Sequence, residues 1–95
     1  MSAYVIVDID IHDPFTYEEY KAAAAESVAL YGGRYVVRGG KTENLEGTWR
    51  PSRVVILEFD SVEQARKWWL SPEYAPAKIL RHRAAHTRMI IVSGA

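Results

Sequence analysis

Four stretches of the chain alternate between apolar and polar positions, and the stretches between them repeat at helical spacing. Tyr4 to Ile11 reads YVIVDIDI, with an aliphatic residue at every odd position from Val5 and acids at Asp8 and Asp10. That period of two predicts a strand with one face buried. Asp13 suits an N-cap and Pro14 the first helical position, where its missing N–H is not needed. Tyr17, Tyr20, Ala24, Val28 and Tyr31 follow at helical spacing, with Glu18 and Glu19 in the first turns to complement the helix dipole. Ala22 to Ala25 raise helix propensity, and Gly32-Gly33 ends the helix with a left-handed cap. Arg34 to Arg38 is a second strand. Gly39 to Ser52 is a loop of about fourteen residues, long enough to be suspected of a function. Arg53 to Phe59 is a third strand. Ser61 and Gln64 form a capping box ahead of a helix that carries Ala65, Trp68 and Trp69. Ser71-Pro72 interrupts it, and Pro76 opens a further helical piece to about Arg83. His86 to Val92 is the last strand.

The order β-α-β-β-α-β predicts a ferredoxin-like α+β fold, an antiparallel sheet in the spatial order fourth, first, third, second strand, with its helices on one face. Strand parity divides the sheet residues into two sets. Val5, Val7, Ile9, Ile11, Tyr35, Val37, Val55, Leu57, Phe59, Met89 and Ile91 should lie under the helices. Tyr4, Ile6, Asp8, Asp10, Arg34, Val36, Arg38, Val54, Ile56, Glu58, Arg88, Ile90 and Val92 should lie on the other face. Ile6, Val36, Val54, Ile56, Ile90 and Val92 would leave an apolar patch there, and such patches usually mark an interface. A twofold homodimer through this open face is the simplest cover, since one patch serves both copies. An exposed patch tolerated in a monomer is the alternative.

Length and composition then narrow the classes. With 95 residues the chain is expected to form one domain, 1–95, burying only about two-thirds of its unfolded surface. Hydrophobic residues at 48% and charged residues at 25% are an ordinary globular balance and argue against disorder. Twelve basic and twelve acidic residues cancel, which counts against a nucleic-acid partner. The absence of cysteine removes disulfides, thiolate metal sites and cysteine catalysis. No apolar run approaches the roughly 20 residues of a membrane span, and Met1-Ser2-Ala3-Tyr4 passes straight into a strand without a signal peptide. A cytoplasmic protein with no membrane partner is the expectation.

Strand direction gathers ionisable groups at one end of the open face. Asp8 and Asp10 lie towards that end, Arg38 ends the second strand there, His86 and Arg88 begin the fourth, and His12 follows the first. An arginine can hold a carboxylate with two parallel bonds, and a histidine can move a proton near neutral pH. The same groups would equally serve as an ion-pair network at a dimer seam. At the opposite end, Arg34 should pair with Glu58 across neighbouring strands, with Arg38 opposite Val54. Glu46 and Trp49 lie on the long loop, which can cover the ionisable end or pack against a partner. Trp68, Trp69 and Tyr74 would line a pocket or fill the core. Arg81, near a helix C-terminus, is most simply a dipole partner. Asp10, His12 and His86 are suitable metal-ligand types, but their spacing is no motif, so no metal is expected. No nucleophile elbow, dinucleotide fingerprint or P-loop is present.

Several short segments together resemble domain-of-unknown-function family 1330 of the dimeric α/β-barrel superfamily. They are Asp13-Pro14, Tyr31-Gly32-Gly33-Arg34-Tyr35, Val37-Arg38-Gly39-Gly40, Leu45-Glu46-Gly47, Arg53 to Phe59, Ser71-Pro72-Glu73-Tyr74 and Arg81. Trp69 stands where the family more often has tyrosine. The resemblance implies a dimer of ferredoxin-like subunits and no established reaction. The superfamily includes cofactor-independent monooxygenases, small-molecule isomerases, haem-degrading enzymes and stress-response barrels. The expected function is binding or transformation of a small polar or anionic organic molecule without a cofactor. A non-catalytic dimeric ligand-binding or stress-response protein is the alternative. Asp10, His12, Arg38, Glu46, Trp49, Trp69, Tyr74, Arg81, His86 and Arg88 are the candidate ligand-binding residues.

Overall fold

Local chemistry sets the ends of most elements in the computed structural model, which describes residues 1–95. Strand β1 (Ala3–Ile11) leads into helix α1 (Pro14–Leu30). The Asp13 carboxylate accepts from the Thr16 N–H at 3.3 Å and from its hydroxyl at 2.6 Å, with Pro14 just inside the cap. Glu18 and Glu19 fall in the second turn and not the first, and Glu18 pairs with Lys21. Only Gly32 of the glycine pair takes the left-handed conformation, at φ +74°. Gly33 is needed for space, because a Cβ there would stand 2.6 Å from the Phe59 ring.

Strands β2 (Arg34–Arg38) and β3 (Arg53–Phe59) follow, then helices α2 (Val62–Trp69) and α3 (Ala75–Ala84), and strand β4 (Ala85–Ser93). Ser61 caps α2 through the Gln64 N–H at 3.0 Å. The Gln64 side chain does not return to the cap as a capping box requires. It donates to the Tyr31 carbonyl at 2.9 Å and ties α2 to the end of α1. Ser71 closes α2 and opens the next turn, donating to the Trp68 carbonyl and accepting from the Tyr74 N–H.

The sheet order is β2-β3-β1-β4 and every pairing is antiparallel, as expected from the element order. All three helices share one core cluster with a single sheet face, in which Val5, Val7, Ile9, Val55, Leu57 and Phe59 are buried. Ile91, expected under the helices, is exposed. On the other face the Arg34 Nε donates to Glu58 at 2.6 Å, in the expected register.

One part of the face assignment is corrected by a bulge. Arg34 pairs with Glu58 and Tyr35 with Leu57, but Val37 then pairs with Ile56 and Arg38 with Val55. The extra residue at Val36 reverses the parity of everything after it. Val37 therefore joins the open face. Arg38 faces the helix side with Val55, and not the open side opposite Val54. A period-two reading assumes an unbroken ladder, and nothing in RYVVR marks the break.

Candidate functional site

The open-face cluster forms in part. Asp8, Asp10, Trp49, His86 and Arg88 line a wide hollow of about 920 Å³. Arg88 is paired with Asp8, whose carboxylate also accepts from the Trp49 indole N–H at 3.1 Å. Trp49 is thus docked over β1 while remaining more than half exposed. Asp10 stands opposite His86 in the ladder, and the His12 and His86 rings lie 5.1 Å apart. Arg38 is absent from this group because of the bulge. Glu46 lines a separate hollow formed by the loop with Trp49, Arg50 and Pro51. No group of three or more histidine, aspartate or glutamate side chains is arranged to hold a metal ion.

A second group of candidates meets on the helix side. Ala77, Arg81 and Ala84 recur at helical spacing on the buried side of α3, and the two small residues let the helix sit close to its neighbours. Arg81 is thereby carried inward and is only 3% exposed. It lines a pocket of about 580 Å³ between α2, α3 and β4, together with Trp69, His82, His86, Met89 and Ile90. Its position in the last turn also satisfies the helix dipole.

Every contact of the Arg81 guanidinium is with a neutral group. One terminal nitrogen donates to the Tyr74 hydroxyl at 2.6 Å and to the Met89 sulfur at 3.3 Å. The other lies 3.1 Å from His82 Nε2. Arginine can only donate, so this imidazole nitrogen accepts and its ring proton is on Nδ1. The Arg81 Nε is buried with no partner at all. Tyr74 is fully buried and acts as support for Arg81, with its hydroxyl 3.0 Å from that of Tyr20. Burial raises the pKa of both phenols, against the opposing pull of Arg81, so neither supplies a negative charge. Lys78 sits 3.4 Å from the centre of the Trp69 ring, and burial, then Arg81, lower its pKa.

The sequence singled out Trp69, Tyr74, Arg81 and His86, and the structure brings Trp69, Arg81 and His86 to one pocket with Tyr74 behind them. His82 and Tyr20 were missed. His82 is exposed on α3 next to Arg81, and no pattern in the sequence marks it. The contact of Tyr20 with Tyr74 joins distant segments and leaves no trace in the sequence.

A four-stranded antiparallel sheet with its helices on one face and this chain order defines a ferredoxin-like α+β protein. A search of curated proteins finds no match. The chain belongs to the family described as domain of unknown function DUF1330, whose model matches residues 2–95. A protein of unknown function from Rhodopseudomonas palustris is 19% identical, with 99% of this chain and 82% of that chain covered and a TM-score of 0.82. SnoaB, a cofactor-independent oxygenase from Streptomyces nogalater, is 12% identical, with 99% and 93% covered and a TM-score of 0.69. A dimeric protein of unknown function and ferredoxin-like fold from Bacteroides fragilis is 16% identical, with 98% and 96% covered and a TM-score of 0.66. At these identities the likeness is one of fold. No helix of the chain is long and apolar enough to cross a membrane.

Proposed function

We propose that this protein is a homodimer that binds a small organic anion in the pocket headed by Arg81. The observation that carries the reading is a buried guanidinium with no carboxylate beside it and an unpartnered Nε. A buried charge is normally paired, because isolating it from water is strongly unfavourable. A ligand carboxylate would supply the missing charge and accept two parallel hydrogen bonds. Trp68, Trp69, Met89, Ile90 and Ile91 offer an apolar wall for the rest of the molecule, and the volume of about 580 Å³ suits a ligand of small-metabolite size. Ile90 is 59% exposed, Val36 49% and Val92 41% on the open face, which supports pairing of two sheets across it.

The test is thermal shift and titration with benzoate, with benzamide as its neutral counterpart. Benzoate should raise the melting temperature and benzamide should not, and Arg81→Gln should abolish the difference. Equal effects of the two compounds, or a benzoate effect that survives in Arg81→Gln, would overturn the reading.

His82 favours a catalytic form of the same reading. Its Nε2 is an acceptor at the Arg81 guanidinium and becomes free to take a proton when a ligand replaces that contact. The likeness to a cofactor-independent oxygenase supports only the capacity of the fold for such work. His82→Asn should leave benzoate binding in place while removing any turnover of a carbon acid bound there. Loss of binding in that variant would assign His82 to recognition.

A further inference from the structure

The bulge that removes Arg38 from the open face places it near a second arginine. Arg53 pairs with Ile9 in the sheet register and so also faces the helix side. Both arginines, with Tyr17, Lys21 and Tyr35, line a narrow cavity between α1 and strands β2 and β3. Trp68 and Met89 border both this cavity and the Arg81 pocket.

Both guanidiniums are oriented by tyrosines. Arg38 lies 4.2 Å from the centre of the Tyr35 ring. Arg53 lies 5.6 Å from the centre of the Tyr17 ring and donates from Nε to the Tyr17 hydroxyl at 3.2 Å. Stacking on an aromatic face leaves the edge of a guanidinium free to donate. Neither group has an acid. The ion pairs of the chain are Lys21–Glu18, Arg34–Glu58 and Arg88–Asp8. Gly39 borders the arrangement: its φ of +71° favours glycine, and a Cβ there would meet the end of the Arg53 side chain.

We infer that Arg38 and Arg53 form a second anion site, independent of the Arg81 pocket, that takes a terminal phosphoryl group. A carboxylate has two oxygens and is satisfied by one arginine fork, whereas a phosphoryl group has three terminal oxygens and can engage two. Two unpaired positive charges also match the charge of about −1.5 to −2 on a phosphate monoester at neutral pH. The cavity holds only about 20 Å³, room for roughly one water-sized atom. The cavity therefore admits one oxygen of the phosphoryl group, and any organic part stays outside it.

The experiment is titration of the full chain with inorganic phosphate and with phenyl phosphate, followed by the arginine Nε–H resonances and by calorimetry. The resonances of Arg38 and Arg53 should shift with either probe. Arg38→Gln and Arg53→Lys should each weaken binding about tenfold or more, because each loses a fork. Arg81→Gln should leave the probe-induced shifts of the Arg38 and Arg53 resonances unchanged, which separates this site from the first. Tighter binding of phenyl phosphate would identify a phosphate ester as the natural partner, and equal binding would identify free phosphate. Unshifted Arg38 and Arg53 resonances at millimolar phosphate, or affinity retained in both variants, would overturn the inference. The resonances of the unaltered protein decide the matter even if a variant fails to fold.

Discussion

Replacing Arg81 by methionine should make the ligand-free protein more stable, the opposite of what removal of a well-connected core residue usually does. The guanidinium is 3% exposed and faces a phenol, a thioether and an imidazole with no carboxylate. Exchange of a buried ion pair for apolar side chains of similar volume is often stabilising by about 1–4 kcal/mol, and an unpaired buried charge lacks even its partner's attraction. The Met89 sulfur is a weak acceptor, and His82 is exposed, so water replaces its contact. The main loss to set against the gain is the bond to Tyr74, and a hydrogen bond to a charged group contributes about 1.5–3 kcal/mol. That loss falls at the low end, because the Tyr74 hydroxyl keeps its contact with Tyr20 at 3.0 Å. The balance is a gain of about 1 kcal/mol, or a rise in melting temperature of roughly 4–8 °C for a chain of this size. The assay is a thermal melt followed by circular dichroism, in buffer free of organic acids. Benzoate then supplies a second reading. At a hundred times its dissociation constant it should stabilise the unaltered protein by about 2.7 kcal/mol and the Arg81→Met variant not at all. The order of stability should reverse as benzoate is added. A ligand-free variant that melts well below the unaltered protein would show that Arg81 holds the core together, and the binding reading would lose its basis.

A charge placed on the open face tests the assembly: Ile56→Glu should give monomer or insoluble material by light scattering, and a monomeric unaltered protein at micromolar concentration would refute the homodimer. Gly33→Ala should cost about 1–3 kcal/mol through crowding of the Phe59 ring, read as a lower denaturant midpoint; an unchanged midpoint would mean that the ring has room to move. Hydrogen bonds from Ser2, and then from Arg34, hold the Glu58 carboxyl below its ordinary value of 4.5. Because the folded value is the lower one, this contribution is present above about pH 4.5 and is lost as the pH falls through the folded value. Glu58→Gln should therefore flatten the acid limb of the stability profile, and an unchanged limb would show that the contact is idle.

Much of the architecture was legible from the sequence because it rests on local rules. Alternation in YVIVDIDI and RVVILEF, the Asp13-Pro14 start and the serine cap at Ser61 each act over a few residues, and the chain order leaves few topologies. The face of each strand was legible only while the ladder stayed regular. At Val36 one extra residue turned Arg38 from the open face to the helix side, a choice made by how β2 meets β3 and not by the residues of β2 alone. The Arg81 pocket divides in the same way. The sequence placed Arg81 only near the C-terminal end of a helix, as a dipole partner, and its turn to the inner side with Ala77 and Ala84 came from packing. That its neighbours are Tyr74, Met89 and His82, and that no acid reaches it, was decided by packing between segments far apart in the chain. Period and capping are properties of neighbouring residues, whereas an unpaired charge is defined by everything that folds around it.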